Sequence, residues 1–307
     1  MVAVDTLFDM DRIAAPAGWY TPGPNLVDYD LIILNVSGGK DSQVMLDVVA
    51  RAAEHLGVQE RCVASFIDLG PDWEWPDIDR WVAHQVGEYG IRLVVGAKTG
   101  ETMDQRIERR AAEGKPGWAD NSRRWCTSDY KRGPGSVIMT RLVNELSLGR
   151  PARVLNVFGY RAAESPARAG KTVFFRDATA STASTRWVDE WSPIHRWSDK
   201  QVWAWIGARD LPYFPAYDLA GVDRISCVCC QLAGEKQVRA GIRAVPRIGR
   251  RLASLETRIG RTFQRSMSIA ALVDEELGAG PDAADVTFPL PDRRRERLSD
   301  RKESPCT

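Results

Sequence analysis

The sequence has no long apolar run and no excess of charge of one sign. None of its apolar runs reaches the ~18–20 residues that a membrane-spanning helix requires, so we expect no membrane partner. Its 42 Lys and Arg residues balance 41 Asp and Glu residues, and the net charge of +1 provides no overall attraction to nucleic acid. Residues 1–16 lack the basic-then-apolar order of a secretory signal, so we expect a cytoplasmic protein.

Cysteine is scarce as well, but three of the six cysteines lie within four positions. A chain of 307 residues can bury a sizeable core without disulfides, and the cytosol is reducing. The C-x-x-C spacing of Cys227 and Cys230, with Cys229 between them, therefore favours an iron–sulfur cluster, zinc or a redox pair. Inert buried thiols are the alternative, since free cysteines are often buried.

Two kinds of apolar pattern alternate along the first half of the chain. Short β-branched runs predict strands, and helical periodicity is typical of the segments between them. The predicted strands are 31–36, 63–69, 91–95 and 154–158, and the predicted helices are 41–56, 76–89 and 135–148. This alternation indicates an α/β fold with a central, mostly parallel sheet flanked by helices.

Three candidate ligand residues lie where predicted strands end, namely Ser37, Asp68 and Gly159. Ligands of parallel sheets bind at the carboxyl ends of the strands, so we expect one site to collect all three residues. Asp68 would hold Mg²⁺ or the ribose of a nucleotide. A turn residue or a helix cap is the alternative for this aspartate.

Residues 37–42 read SGGKDS and lie between the first predicted strand and the first predicted helix. Chemistry on ATP needs backbone N–H groups that point at phosphate oxygens. Two glycines allow this close approach, and a helix N-terminus adds partial positive charge. We therefore expect the ATP phosphates to be bound by Ser37, Gly38, Gly39, Lys40, Asp41 and Ser42, with Lys40 and Asp41 taking part in catalysis. The hexapeptide is not a Walker A loop, and a plain turn with a helix cap is the alternative.

Two later arginines could neutralise a departing pyrophosphate. Arg161 and Arg168 are seven residues apart, which would place both on one face of a helix. Guanidinium groups suit phosphate and stay charged, so we expect both residues to be catalytic. Glu164 would orient the arginines or bind Mg²⁺. A solvated basic helix face is the alternative.

Composition divides the chain into an irregular arm at 1–29, the α/β domain at 30–232, a basic helical appendage at 233–277 and a mobile tail at 278–307. Between 233 and 265, nine Lys or Arg residues face two Glu residues. Arg239, Arg243 and Arg247 recur every four residues. A helix would carry them, with Arg250, Arg251, Arg258, Arg261 and Arg265 beyond, as a basic stripe able to contact DNA or RNA. Pro246 would interrupt that helix, and a solvated helix face is the alternative.

Six segments between residues 30 and 232 form one ordered pattern: SGGKDS at 37–42, FIDLG at 66–70, RWCT at 124–127 with Lys131 and Pro134, GYRAAES at 159–165 with Arg168, the Trp191–Tyr217 region, and Arg224–Cys230. This pattern resembles the phosphoadenylyl-sulfate (PAPS) reductase-like branch of the ATP-pyrophosphatase superfamily. Several motifs in a fixed order are far more specific than any one of them. The resemblance implies the adenine nucleotide α-hydrolase-like fold.

The resemblance also bears on the cysteines. Members of this branch place the segment of Cys126 near the later pair, so Cys126, Cys227 and Cys230 could hold a [4Fe–4S] cluster. One iron would then remain for Cys229 or for an exogenous sulfur ligand. The sequence does not distinguish this cluster from zinc.

A late cysteine separates two activities that the resemblance implies. PAPS and adenylyl-sulfate reductases carry a catalytic cysteine in an E-C-G-x-H context, whereas this chain ends ESPCT around Cys306. The leading interpretation is therefore an ATP pyrophosphatase that adenylylates an acceptor for sulfur transfer and releases AMP and pyrophosphate. Related enzymes of DNA phosphorothioation and tRNA thiolation resemble this plan, with ATP and Mg²⁺ as cofactors.

The acceptor would then be a nucleic-acid phosphate or base, and a cysteine desulfurase would be the sulfur donor. The runner-up is a PAPS or adenylyl-sulfate reductase, which would require Cys306. A third alternative is a non-catalytic, nucleotide-sensing subunit that binds nucleic acid.

Overall fold

The computed structural model describes residues 23–278 and 284–291. Its centre is a six-stranded sheet in the order β3-β2-β1-β4-β6-β5. All neighbouring strands are parallel except β5 and β6. The strands are β1 (Leu31–Val36), β2 (Cys62–Asp68), β3 (Arg92–Ala97), β4 (Ala152–Phe158), β5 (Phe174–Arg176) and β6 (Arg186–Trp191). The prediction of an α/β fold with a mostly parallel sheet is confirmed.

Helices cover this sheet and form the appendage after it. Within the described residues they are α1 (Lys40–His55), α2 (Ile78–Gly87), α3 (Met103–Ala112), α4 (Trp125–Thr127), α5 (Gly133–Leu146), α6 (Pro166–Ala169), α7 (Asp199–Ala208), α8 (Ala216–Leu219), α9 (Glu235–Ala244), α10 (Pro246–Ile259) and α11 (Ile269–Leu277). Single 3-10 or π turns lie at Leu26–Asp28, Gln59–Arg61, Ser128–Arg132 and Ala162–Glu164. None of the helices in the described part is long and apolar enough to cross a membrane.

Both faces of the sheet are covered, which explains the apolar sequence of β1. Neighbouring residues of a strand point to opposite faces. Ile33 belongs to a buried cluster with Leu142 of α5, whereas Ile32 belongs to the larger cluster that includes Val49 of α1. A strand buried on both faces reads as a continuous apolar run, as is typical of parallel sheets.

The strand order reverses at β1, with β2 and β3 on one side and β4 and β6 on the other. Ligands of open α/β sheets bind outside the carboxyl ends of the strands at such a switch point. The loops that follow β1 and β4 therefore mark the place where a nucleotide site is expected. These loops begin at Ser37 and Gly159.

The appendage consists of α9, α10 and α11. Helix α9 ends at Ala244, and Pro246 begins α10, where the missing N–H of proline costs little. The arginine stripe thus continues across two helices instead of lying on one. Proline separates the helices as the sequence indicates.

The stripe is not an unbalanced basic surface. Five of its arginines form ion pairs with distant acids: Arg239 with Glu275 and Glu276, Arg243 with Glu276, Arg247 with Asp72 and Asp285, Arg251 with Asp72 and Asp104, and Arg258 with Glu108. Three of these acids belong to the α/β domain, so the arginines join the appendage to that domain. The expectation of an unbalanced stripe is wrong for these five residues, because counting charges within 233–265 omits partners elsewhere in the chain. The binding of DNA or RNA by this stripe stays a prediction.

Residues 284–291 belong to the predicted mobile tail, yet they pack on the α/β domain. Phe288 is fully buried, with its ring centroid 5.0 Å from that of Phe214 and 5.7 Å from that of Trp75. The Trp81 indole N–H donates to the Phe288 carbonyl at 2.9 Å. The rest of the predicted tail, at 279–283 and 292–307, and residues 1–22 of the predicted arm lie outside the described residues.

Removal of the Phe288 side chain tests this docking. Because the ring is fully buried, Phe288→Ala should lower the free energy of unfolding in urea by about 3–5 kcal/mol. Val137 is 70% exposed, so Val137→Ala should change the same quantity by less than about 0.5 kcal/mol. A loss below about 1 kcal/mol for Phe288→Ala would show that this segment adds nothing to the core.

Candidate nucleotide and thiol site

The loop at 37–42, which the sequence predicts to bind phosphate and which is called the phosphate loop below, joins β1 to α1 at the switch point. Gly38 has a φ of +75°, which favours glycine, and a Cβ there would lie 2.4 Å from the Ile78 side chain. The Ser42 hydroxyl closes the loop, because it accepts from the Ser37 N–H at 3.1 Å and donates to the Gly39 carbonyl at 2.9 Å. The result is a fixed backbone cradle at a helix N-terminus, which is the geometry that phosphate binding uses.

The Lys40 side chain is buried and contacts later segments of the chain. It is 2% exposed, and its ammonium group lies 3.2 Å from Asp199 Oδ1. The same ammonium donates to the Asp223 carbonyl at 2.9 Å and lies 5.4 Å from the centroid of the Tyr217 ring. We expected Lys40 to add charge at the phosphates. In this structure its ammonium joins α1 to later segments of the chain, and its role at the phosphates stays a prediction.

Asp41 and Arg161 form a buried ion pair between the loops that follow β1 and β4. Arg161 Nε lies 2.5 Å from Asp41 Oδ1, and Arg161 Nη2 lies 3.0 Å from Asp199 Oδ1. Burial raises the pKa of Asp41, against the opposing effect of the Lys40 and Arg161 charges. Two cations thus face two carboxylates, and the network is balanced in charge.

Arg161 and Arg168 do not share a helix face, so that prediction is wrong. Arg161 has an extended backbone, with φ −122° and ψ 142°, and Arg168 lies on the separate short helix α6. The seven-residue spacing does not place the two arginines on one helix face, because Pro166 starts a new helix between them. Glu164 connects the two arginines instead, since its carboxylate accepts from the Arg161 N–H at 2.8 Å and pairs with the Arg168 guanidinium. Of the two roles expected for Glu164, these contacts favour orientation of the arginines.

Gly159 lets the two loops meet. A Cβ at this position would lie 2.8 Å from the Asp41 carbonyl oxygen and 3.0 Å from the Ser42 Cα. Both atoms belong to the backbone, which cannot move aside as a flexible side chain can. The absence of a side chain at Gly159 therefore sets how closely Arg161 approaches Asp41.

Asp68 ends β2 at the same edge of the sheet. Its carboxylate accepts from the Gly70 N–H at 2.7 Å, so it stabilises the turn after the strand. Glu74 follows this turn and is partly buried. Burial raises the pKa of Glu74 to about 7, with the charge of Lys131 opposing. No pattern in the sequence singles out Glu74, because only the folded chain brings it near Asp68 and Lys131.

The cysteine segment lies along this edge as well. Asp223 contacts the phosphate loop through its carbonyl, as described above. Further along, the Ser226 carbonyl accepts from the Trp75 indole N–H at 2.8 Å, and the Val228 N–H donates to the Trp73 carbonyl at 3.0 Å. Both tryptophans follow β2. The segment 223–230 therefore runs from the phosphate loop to the end of β2.

Three thiols lie close enough to influence one another. A hydrogen bond from Cys227 lowers the pKa of Cys230, and the Leu232 N–H and the Lys131 charge act in the same direction, whereas burial opposes. The hydrogen bond raises the pKa of Cys227, and burial adds to that shift. Cys126 is partly buried, and its charge interacts with that of Cys230. The directions of these two shifts favour Cys230 over Cys227 as the thiolate of the pair.

The sequence predicts that Cys126, Cys227, Cys229 and Cys230 hold a [4Fe–4S] cluster or zinc. Cys229 is fully buried, and burial raises its pKa to about 12. Across 23–278 and 284–291, no three His, Cys, Asp or Glu side chains are placed to hold one metal ion. The residues present fit a dithiol pair and do not form a preorganised site for a [4Fe–4S] cluster, zinc or Mg²⁺. No step proposed below runs through a metal bound by these side chains.

Two residues of this site were not expected from the sequence. Asp199 is the first residue of α7, directly after the Ser198 cap, and it pairs with both buried cations. The Tyr217 hydroxyl accepts from the Lys40 N–H at 2.9 Å. Both lie in the Trp191–Tyr217 region of the ordered pattern, but nothing in the local sequence indicates that they contact Lys40 or Arg161.

Residues 31–233 match the phosphoadenosine phosphosulfate reductase domain. The chain belongs to this family and carries its nucleotide-binding α/β domain. The resemblance drawn from the ordered motifs is confirmed. The family consists of enzymes, so an enzymatic role is supported.

The individual relatives are similar to the chain at low sequence identity. The chain is 28% identical over 200 residues to an uncharacterized protein of Methanocaldococcus jannaschii. The aligned region covers 64% of this chain and 40% of that protein. It is 33% identical over 98 residues to the phosphoadenosine 5'-phosphosulfate reductase of Gloeobacter violaceus, and the aligned region covers 32% of this chain and 38% of that protein. The crystal structure of the PAPS reductase of Candida auris aligns with a TM-score of 0.41 at 21% identity, over 66% of this chain and 83% of that one. The chain spans less than half the length of the two curated relatives.

Alkylation measures the acidity of the Cys230 thiol. Only the thiolate reacts, so the iodoacetamide labelling rate of Cys230 should reach half of its plateau below the ordinary thiol pKa of about 8.5. Lys131→Met should move this midpoint to higher pH, because Lys131 stabilises the thiolate. The rates follow from mass spectrometry of timed samples of reduced, chelator-treated protein.

Lys115→Met provides the matched control, since Lys115 is 59% exposed and pairs with Glu113. It should leave the midpoint for Cys230 unchanged. A midpoint at or above the ordinary thiol value in the parent protein would contradict the assignment of Cys230 as the thiolate.

Proposed function

We propose that this protein is an ATP pyrophosphatase that adenylylates an acceptor oxygen for sulfur transfer. The observation that carries the proposal is the shared sheet edge on which the phosphate loop at 37–42 and the Cys227–Cys230 pair lie, joined through Asp223. Coupling of ATP activation to sulfur transfer requires a phosphate cradle and a sulfur nucleophile in one site. The acceptor would be a nucleic-acid phosphate or base, as in the phosphorothioation and thiolation enzymes that the sequence resembles.

Adenylylation is the first step. The acceptor oxygen attacks the α-phosphorus of ATP, and pyrophosphate leaves. Backbone N–H groups of the phosphate loop hold the phosphates, while Arg168 meets the developing negative charge. The Arg168 side chain is 30% exposed and is oriented by Glu164. Arg161 is buried against Asp41 and acts as a positioning residue for the loop.

Sulfur transfer is the second step. A persulfide on Cys230 attacks the adenylylated centre, and the oxygen leaves with AMP. Cys227 then attacks the Cys230 sulfur, which releases the thiolated acceptor and leaves a Cys227–Cys230 disulfide. A cysteine desulfurase supplies the persulfide sulfur, and an external dithiol reduces the disulfide.

Reduction of an activated sulfate is the second candidate. The family and the Gloeobacter violaceus relative favour it. This activity would release sulfite from PAPS or adenylyl sulfate in a thioredoxin-dependent reaction and would require Cys306. That cysteine lies outside the described residues, and its sequence context differs from that of the reductases.

Product analysis with α-labelled ATP tests the proposal. Anaerobically purified protein with Mg²⁺, a cysteine desulfurase, cysteine and a dithiol should convert the label to AMP, with equimolar pyrophosphate, and DNA or RNA should stimulate the reaction. Intact ATP or ADP in every mixture would contradict the proposal. Release of sulfite from PAPS that Cys306→Ser abolishes would assign the reductase activity instead.

Substitution within the ion-pair network should stop the same reaction. Asp41→Asn and Arg161→Ala should each lower the rate of AMP formation by about 100-fold or more, because the phosphates lose their positioned cradle. Arg92→Ala removes a 54% exposed arginine paired with Glu145 and should keep the parent rate. Circular dichroism would show whether each variant is folded. A folded Asp41→Asn variant with full activity would contradict a role for this network.

A further inference from the structure

A cleft of ≈ 570 Å³ next to the site described above has an unusual lining. Six of its twelve lining residues are basic, and none of the lining residues is acidic: Arg110, Arg123, Arg124, Arg132, Arg168 and Lys171. Arg124 is the first residue of the RWCT segment of the ordered pattern, but only Arg168 among these cations has a role in the proposed adenylylation. A concave surface with charge of one sign attracts anions strongly.

The cations of this cleft are less neutralised than those of the appendage. Arg123, Arg168 and Lys171 pair with Asp120, Glu164 and Glu190. The other three have no carboxylate partner at ion-pair distance in the described part of the chain: Arg110, Arg124 and Arg132. The appendage arginines, by contrast, mostly contact acids. The cleft is therefore the stronger site for a polyanion.

The cleft lies between the two halves of the proposed chemistry. On one side, Trp125 and Thr127 flank Cys126, which neighbours the thiol pair. On the other side, Tyr160 and Ser165 belong to the loop that carries Arg161. An anion in this cleft would therefore lie beside both the cysteines and the loop that faces the phosphates.

The aromatic rings of the cleft are covered, which argues against base stacking. Tyr160 stacks on Phe158 with centroids 4.8 Å apart, and the Arg168 guanidinium and Lys171 ammonium lie 4.8 Å and 4.7 Å from the Tyr160 centroid. Trp125 is 6% exposed and also bears a guanidinium over its ring. Neither ring offers a free platform of the kind that single-strand binders use for bases. The cleft therefore suits phosphates rather than bases.

We propose that this cleft binds the sugar-phosphate backbone of a nucleic-acid strand. Three cations without a carboxylate partner, flanked by three that are paired, exceed what one phosphate or sulfate needs, and a nucleic-acid strand presents consecutive phosphates. Its role as the acceptor site rests on the proposed function, whereas the binding itself does not. The cleft, and not the appendage stripe, then provides the principal contacts with phosphate.

Salt-dependent binding tests the assignment, with fluorescence anisotropy of a fluorescein-labelled single-stranded oligonucleotide as the readout. The double variant Arg124→Gln/Arg132→Gln should weaken binding about tenfold or more and lower the slope of log K against log[salt] by about 1.4, or about 0.7 for each lost phosphate contact. The matched control Arg243→Gln/Arg258→Gln removes two exposed arginines from the stripe. It should bind within about twofold of the parent.

Parent-like binding by the cleft variant, or an equal loss in the stripe variant, would overturn the proposal. So would equal competition by inorganic phosphate or polyglutamate at matched charge, since the site would then select any anion. The assay contains no ATP and is independent of turnover. If the parent protein forms AMP but the cleft variant binds the oligonucleotide as the parent does, only the cleft assignment is refuted. If the cleft variant loses binding but the parent protein does not cleave ATP, only the pyrophosphatase is refuted.

Discussion

The buried ion pair between Asp41 and Arg161 is the contact on which the rest of the site depends. It joins the loop after β1 to the loop after β4 at the point where the strand order reverses. Asp199 binds the same guanidinium and the Lys40 ammonium, so α7 is fixed to both loops. Loss of one partner from a buried pair leaves an uncompensated charge, which is far more costly than loss of a surface pair. The close approach of Gly159 is what makes this geometry possible.

This network has a consequence for nucleotide binding. Its charges balance internally, because Lys40 and Arg161 pair with carboxylates. In the proposed function, the negative charge of ATP would therefore be met by backbone N–H groups of the phosphate loop and by cations outside the network, such as Arg168. We infer a division of roles, in which buried charges set the positions of the loops and partly exposed charges contact the anions.

The sequence predicts the local features of this arrangement and misses the long-range ones. Strands β1 to β4 and the phosphate loop follow from apolar periodicity and glycine chemistry, which act between neighbouring residues. Strand β6 was not predicted, because its sequence RWVDEW mixes charges with apolar residues. The Asp199 contact and the ion pairs of Arg247 join residues far apart in the chain, so no local spacing reveals them. The helical spacing of Arg161 and Arg168 does not predict their positions, because Pro166 starts a new helix between them.

We infer that the loop at 37–42 is a phosphate site positioned by the Asp41–Arg161 pair. A crystal structure with a non-hydrolysable ATP analogue would show this arrangement. We expect the triphosphate against the backbone N–H groups of this loop, with the Asp41–Arg161 pair intact and the α-phosphate facing the cleft beside Cys126. An analogue bound elsewhere, or a phosphate that displaces Asp41 from Arg161, would rule out this phosphate site.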